Sequence, residues 1–347
     1  MTTSTAATRT GPFQPFSATW ISSTTAFVLG GSRCYDLSSL CDAELLRTDD
    51  RGQSWGSVHI PALTAGPANN ADLRGVRFAD SRDGYLYGRY LWSTHDAGAH
   101  WTKVVLAGRP SNCATVDALE IGTGVVHAVN FGACSGPLAT FTMYDGVIER
   151  DAFVRAAIQL PIGAGPEPEV QLVVHGARAW VVDSDRTLGA AARFVAGRWR
   201  TWTDPPCAHA FPQPQLWLAA GSDGVLVAVC SYWGVPSPSS AWVSTDGGAT
   251  FVERSASTCA VNPTGVLGTD VWIGERGDAS SLVRTSDGGK TCVPTLAYGS
   301  AQPLETGFTT ATQGYTILSG GPPSNDRARM FLTTDAGRTW RQVRFGH

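Results

Sequence analysis

Five carboxylates in this chain are of a type and placement that could do chemistry: Asp117, Glu169, Glu275, Asp278 and Glu305. Two such groups about 5–9.5 Å apart are the equipment of glycoside hydrolysis, one protonating the leaving oxygen and the other acting as base or nucleophile. The guanidiniums of Arg74, Arg276 and Arg327 can hold an anionic or hydroxyl-rich ligand. The amides of Gln215 and Asn262 both give and accept hydrogen bonds. Tyr232 and Trp233 add aromatic faces on which a sugar ring stacks. Of the seven His, only His209 falls in a loop where it could serve as acid or base, and a lone loop His is more often solvated. No Gly-Lys-Ser/Thr phosphate loop, Gly-x-Ser-x-Gly elbow, His-Glu-x-x-His site or Cys-x-x-Cys pair occurs. No cofactor and no metal are therefore expected, and no residue is assigned a catalytic role.

Whether these side chains meet depends on the elements that carry them, and those elements repeat. The octet Ser/Thr-x-Asp-x-Gly-x-x-aromatic occurs at Thr48–Trp55, Thr94–Trp101, Ser244–Phe251 and Thr333–Trp340. A fifth copy, Thr285–Cys292, has lost the aromatic. Each copy has the chemistry of a tight turn between strands. The Asp accepts backbone N–H bonds from its own turn. The Gly takes φ > 0 without steric cost. The aromatic opens the next strand with a large apolar surface.

The octet aspartates, Asp50, Asp96, Asp246, Asp287 and Asp335, are separated by 46, 150, 41 and 48 residues. The long gap has room for three periods, hence two eroded copies, sought around Tyr144-Asp145-Gly146 and Arg193–Trp199. Five clear units and two eroded ones make seven. A repeat of this length with four short strands predicts an all-β fold, a seven-bladed β-propeller of four-stranded antiparallel blades. Residues 1–12 are expected to be a flexible leader and 13–347 one propeller domain.

The octet resembles the Asp-box, or BNR, repeat of the sialidase-like propellers, a group that includes sialidases, other glycoside hydrolases, sorting receptors and photosystem II assembly factors. The resemblance covers the chain from about Phe13 to Phe345. It implies that the octets lie between the third and fourth strands of each blade, on the face away from the ligand. It specifies scaffold rather than activity. A sialidase would resemble its family further, in an Arg-Ile-Pro stretch, three Arg for the substrate carboxylate and a Tyr–Glu nucleophile pair. No Arg-Ile-Pro occurs here, so sialidase activity is not expected.

Composition agrees with many short strands joined by turns: 43% hydrophobic, 16% charged, 39 Gly and 20 Pro in 347 residues. The net charge of −3, without long runs of either sign, argues against nucleic acid as a partner. No apolar run reaches the ~18 residues of a membrane span. Eight Cys, mostly in or beside expected loops, point to disulfides and an oxidising compartment. Cys34–Cys41 is the clearest pair, Cys113–Cys134 is plausible, and Cys292 is expected to be a free thiol. Residues 1–10 do not read as a signal peptide, so the chain is taken as an extracytoplasmic or secreted mature form, with a cytoplasmic protein as the alternative.

In such a ring the loops between strands two and three and the links between blades share one face. Those loops are the longer and more varied set here, and the ligand is placed there. The starts of the innermost strands ring the mouth at Arg74, Asp117, Glu169, Gln215, Asn262 and Glu305. Tyr232, Trp233, Glu275, Arg276 and Arg327 lie on the surrounding loops. The expected function is a binding module for a carbohydrate-like or other small polar ligand, acting as a monomer. The alternatives are an enzyme on the same face (a glycoside hydrolase or lyase, or a cyclase of secondary metabolism) and a platform that docks another protein.

Overall fold

The computed structural model describes residues 12–35, 40–67, 71–108, 115–131, 140–161, 170–183, 188–209, 214–231, 239–257, 262–276, 280–320 and 327–346. They form seven antiparallel sheets, each built from four strands consecutive in the chain, and no helix. Blade one comprises Gln14–Trp20, Ala26–Tyr35, Leu40–Thr48 and Gly56–Val58. Its third strand is also paired at the mouth end by Thr64–Ala65. The inner strands of blades two to seven are Gly75–Phe78, Thr115–Ile121, Val170–His175, Gln215–Ala220, Asn262–Val266 and Pro303–Phe308.

Second strands are the core. Arg178–Asp183, Leu226–Ser231 and Gly314–Leu318 are buried almost throughout. Each is packed by neighbouring blades on both faces, so its sequence reads as a continuous apolar run instead of an alternation. Outer strands such as Val293–Ala297 are mostly exposed.

The five octets close as their chemistry predicts, with one addition. In each, the first hydroxyl donates to the Asp and accepts the N–H of the Gly, as in Thr48 Oγ1 to Asp50 Oδ1 at 2.8 Å and Gly52 N to Thr48 Oγ1 at 2.9 Å. The fifth copy does the same through Thr285, Asp287 and Gly289 despite its missing aromatic. The addition is that the residue before the Gly is left-handed too, at Arg51, Ala97, Gly247, Gly288 and Ala336.

The eroded blades differ from expectation. Tyr144-Asp145-Gly146 lies inside the third strand of blade three, Thr140–Val147, and is not its turn. The segment after it is a nine-residue fourth strand, Phe153–Pro161. Gly146 pairs with Phe153 across that hairpin, and the pairing extends to Thr140 with Pro161. Pairing with the long third strand holds Ala156-Ala157-Ile158 extended. In blade four the turn does fall where sought, at Ala196-Gly197, both left-handed.

Cys34 and Cys41 are bonded, as are Cys207 and Cys230, with Cα atoms 5.7 Å apart in the second pair. Cys113, Cys134 and Cys259 lie outside the described residues. Cys292 is disulfide-bonded, not free. The expectation rested on the length of one strand separating Cys292 from Cys259. Cys292 directly precedes the outermost strand, and its half-buried side chain packs beside Val283.

Among the described residues, no strand is exchanged between the chain's ends. Blade seven takes all four strands from the C-terminal part and blade one all four from the N-terminal part. The ends meet through side chains. Phe13 and Phe345 have ring centroids 4.7 Å apart, and Trp55 and Phe345 5.1 Å.

Candidate functional site

Strands alternate in direction, so inner-strand starts and the loops between strands two and three share one end of the ring, and the octets take the other. At the first end, Arg74 Nη1 lies 3.3 Å from Asp117 Oδ1, which also accepts from Thr115 Oγ1 at 3.0 Å. The strand pairing of blade three shifts between Val116 and Ala118. This bulge at Asp117 re-aims its carboxylate toward the next blade. The same shift recurs at the same level of blades one, six and seven. The Arg74–Asp117 pair is 30% and 15% exposed, enough for a ligand to reach it.

Gln215 opens the inner strand of blade five and is buried. Asn262 opens that of blade six and lies opposite Glu275. Burial, with Glu275 contributing, pushes the Tyr298 hydroxyl up to about 12. Arg276 ends the second strand of blade six. Glu169, Tyr232, Trp233 and Asp278 lie outside the described residues, as does the side chain of Arg276. Arg327 is exposed. It lines a hollow at the outer strands of blade seven.

Deeper in the channel is a network that sequence reasoning missed except for Glu305. Arg77 donates to Glu120 Oε1 through Nε at 2.8 Å and lies 3.1 Å from Glu305 Oε1 through Nη1. It also donates to Ser17 Oγ at 3.1 Å. Tyr315 donates to Glu305 at 2.5 Å and approaches the carbonyl of Ala18 at 2.7 Å. Glu305 Oε2 accepts from Ala18 N at 3.3 Å. Blades one, two, three and seven are thus tied at one guanidinium. Burial alone would depress Arg77, but the two carboxylates reverse this and hold it well above its ordinary value. Burial raises the Glu120 carboxyl despite Arg77, and burial with Glu305 raises the Tyr315 phenol well above its usual range. Gln171 makes the equivalent tie between blades four and five, giving to Leu216 O at 2.9 Å and taking from Leu218 N at 3.0 Å.

A signal for the missed pair existed. Arg74–Asp117 and Arg77–Glu120 are both 43 residues apart, one blade period, so the repeat itself brings them side by side.

Glu120 and Glu305 are committed to Arg77, and Asp117 to Arg74, so none stands as a free acid or base. His209 pairs with Asp204 at 3.0 Å, both strongly exposed, beside a cavity of ≈ 780 Å³ at the seam of blades four and five. His127, buried, bonds Asp145 at 2.7 Å and is structural. Among the described residues, no group of His, Cys, Asp and Glu could hold a metal ion, and no helix is long and apolar enough to cross a membrane.

No family model matches the chain. A xyloglucanase from Paenibacillus sp. is 30% identical over 115 residues, which are 30% of this chain and 11% of that protein, so the chain spans only a small part of that relative's length. Among solved structures, YCF48 bound to D1 peptide is similar with a TM-score of 0.60 at 16% identity, covering 94% of this chain and 95% of the other. The β-propeller domain of the Trilobed protease from Pyrococcus furiosus gives 0.57 at 8% identity over 96% and 98%. A polysaccharide lyase of family PL25, an ulvan lyase, gives 0.54 at 10% identity over 95% and 96%. At these identities the likeness is one of fold, that of the seven-bladed β-propellers.

Proposed function

We propose that the protein is an extracytoplasmic binding module that takes a carbohydrate-like or other small polar ligand at the central mouth. One observation carries the reading. Both disulfides with described partners lie at the mouth end, one between strands two and three of blade one and the other from the blade-four link to the end of a blade-five strand. Crosslinks placed there pre-organise loops for a ligand, and they persist in an oxidising compartment. Arg74 and Asp117 supply a donor and an acceptor at the rim, joined by Gln215, Asn262 and Glu275. The local similarity to a xyloglucanase favours a glycan over other polar ligands.

The protein is expected to be a monomer. The test is a glycan panel, with binding read on immobilised sugars and products read by mass spectrometry. Binding without new masses, lost in Arg74→Gln and Asp117→Asn, is the expected result. New fragment masses would make the protein a carbohydrate-active enzyme instead. A second reading, protein docking, is favoured by the likeness to YCF48, a propeller of this fold that holds a peptide. Retention of an extended peptide with no glycan bound would put that reading first.

A further inference from the structure

Blade seven carries Arg327, Arg329, Arg338, Arg341 and Arg344. Three of them, Arg327, Arg329 and Arg344, line one hollow of ≈ 460 Å³ where blade seven meets blade one. The hollow lies at the mouth end of the ring, out at the third and fourth strands of blade seven. Its floor is apolar: Pro12, Phe13, Met330, Val343 and Phe345. Among the described residues, no Asp or Glu lines it.

Among the described residues, none of the three guanidiniums is in a salt bridge, and the Nε of Arg329 is buried without a hydrogen-bond partner. Its plane instead lies 6.0 Å from the Phe331 ring. Three guanidiniums brought together without a carboxylate repel one another, and a buried donor left unmade is costly. A bound anion would relieve both.

We propose that this hollow is a second ligand site, distinct from the mouth, for a small organic anion with a carboxylate or phosphate head and an apolar body. The planar forks of Arg match either head bidentately. The volume is within the usual range for small-molecule sites. The floor of Phe13, Phe345 and Met330 would cover the apolar body, and because Phe13 and Phe345 come from the two ends of the chain, the ligand would also bridge the ring closure. The inference is independent of the reading of the mouth.

The experiment is calorimetric titration of the full chain with phenyl phosphate, benzoate and inorganic phosphate at low salt. Phenyl phosphate or benzoate should saturate one site, bind more tightly than inorganic phosphate, and raise the melting temperature. The preferred head, phosphate or carboxylate, is read from which aromatic anion binds more tightly. Arg327→Gln with Arg344→Gln should weaken binding about tenfold or more, while Arg200→Gln, an exposed site on blade four, should leave it unchanged. Both substituted residues are exposed, so the fold should survive, and a melting curve checks this. No saturation by about 10 mM, or affinity unaltered in the double variant, would overturn the proposal. Equal affinity for inorganic and phenyl phosphate would overturn the role of the apolar floor.

Discussion

The octet aspartates are anchored hydrogen-bond acceptors, and their titration follows from that. Ser54, by side chain and backbone, holds Asp50 down to about 2, and the Thr291 backbone and hydroxyl do the same for Asp287. His100 holds Asp96 at about 2. These folded values lie below the unfolded value of about 3.9. Their contribution is therefore complete above about pH 4 and is lost as pH falls toward the folded values. His95 titrates with the opposite sign. It bridges Asp83 at 2.6 Å and Asp151 at 3.2 Å, tying blade two to the turn of blade three. Burial opposes its charge, but the bonds to Asp83 and Asp151 prevail and raise its folded value. Its contribution is complete below about pH 6.5 and fades as pH rises through the folded value. Melting temperature against pH should thus fall on both sides, and His95→Gln should remove the alkaline decline while leaving the acid limb. An alkaline decline that survives in His95→Gln would show that another group is responsible. Asp246→Ala should lower the melting temperature by about 2–4 °C and leave affinity for any mouth ligand unchanged. Loss of binding without a change in melting would assign Asp246 to the site.

An octet is more than a turn, because its last residue locks a seam. Trp101 of blade two donates to His59 O of blade one at 2.8 Å, and Trp340 of blade seven donates to Thr295 Oγ1 of blade six at 3.2 Å. Phe251 of blade five stacks on Trp202 after blade four, and Trp55 of blade one meets Phe345 of blade seven. The eroded blades keep the lock: Trp199 donates to Asp145 at 2.9 Å, and Phe153 meets Tyr85 edge-on. Where the aromatic is missing, Cys292 is disulfide-bonded and packs beside Val283 of its own blade. The octet Gly completes the seam. A Cβ on Gly337 would lie 1.9 Å from Ile273 Cδ1 of blade six, and its φ of 72° already disfavours a side chain. Gly337→Ala should cost more than about 1–2 kcal/mol, seen as a lower denaturant midpoint. Ala97→Gly, at a left-handed position with φ 63°, should do the reverse by about 1 kcal/mol. Equal midpoints in both variants would mean the turns relax freely and the seam argument fails.

The ring as a whole is held at its axis and at its ends. Arg77 ties four blades at one point, so Arg77→Met should leave Glu120 and Glu305 as uncompensated, half-buried charges. A loss of about 3–5 kcal/mol is expected for such a break, measured by equilibrium unfolding. Adding Glu120→Gln and Glu305→Gln should recover much of it, because neutral amides need no counter-charge. A variant series in which Arg77→Met costs nothing would place the ring's cohesion in its apolar seams alone. The network also explains why the channel is a poor site for acid–base work: its carboxylates are already occupied in closing the ring.

Local chemistry was legible in the amino-acid sequence. Eight residues suffice to close an octet, and their recurrence set the number of blades. The short loop between Cys34 and Cys41 announced its own crosslink. The two failures, in blade three and at Cys292, arose where pairing with a neighbouring strand or residue outweighed the local signal. The channel network was decided only by tertiary structure. Glu305 bonds the backbone of Ala18 across 287 positions, and Tyr315 reaches the same residue across 297. Arg327 reads as a mouth residue from its loop, yet lines a flank hollow because the chain's two ends meet there. Turns are specified by neighbours in the chain, whereas a site at the axis or closure of a ring depends on which strands face each other once the last blade meets the first.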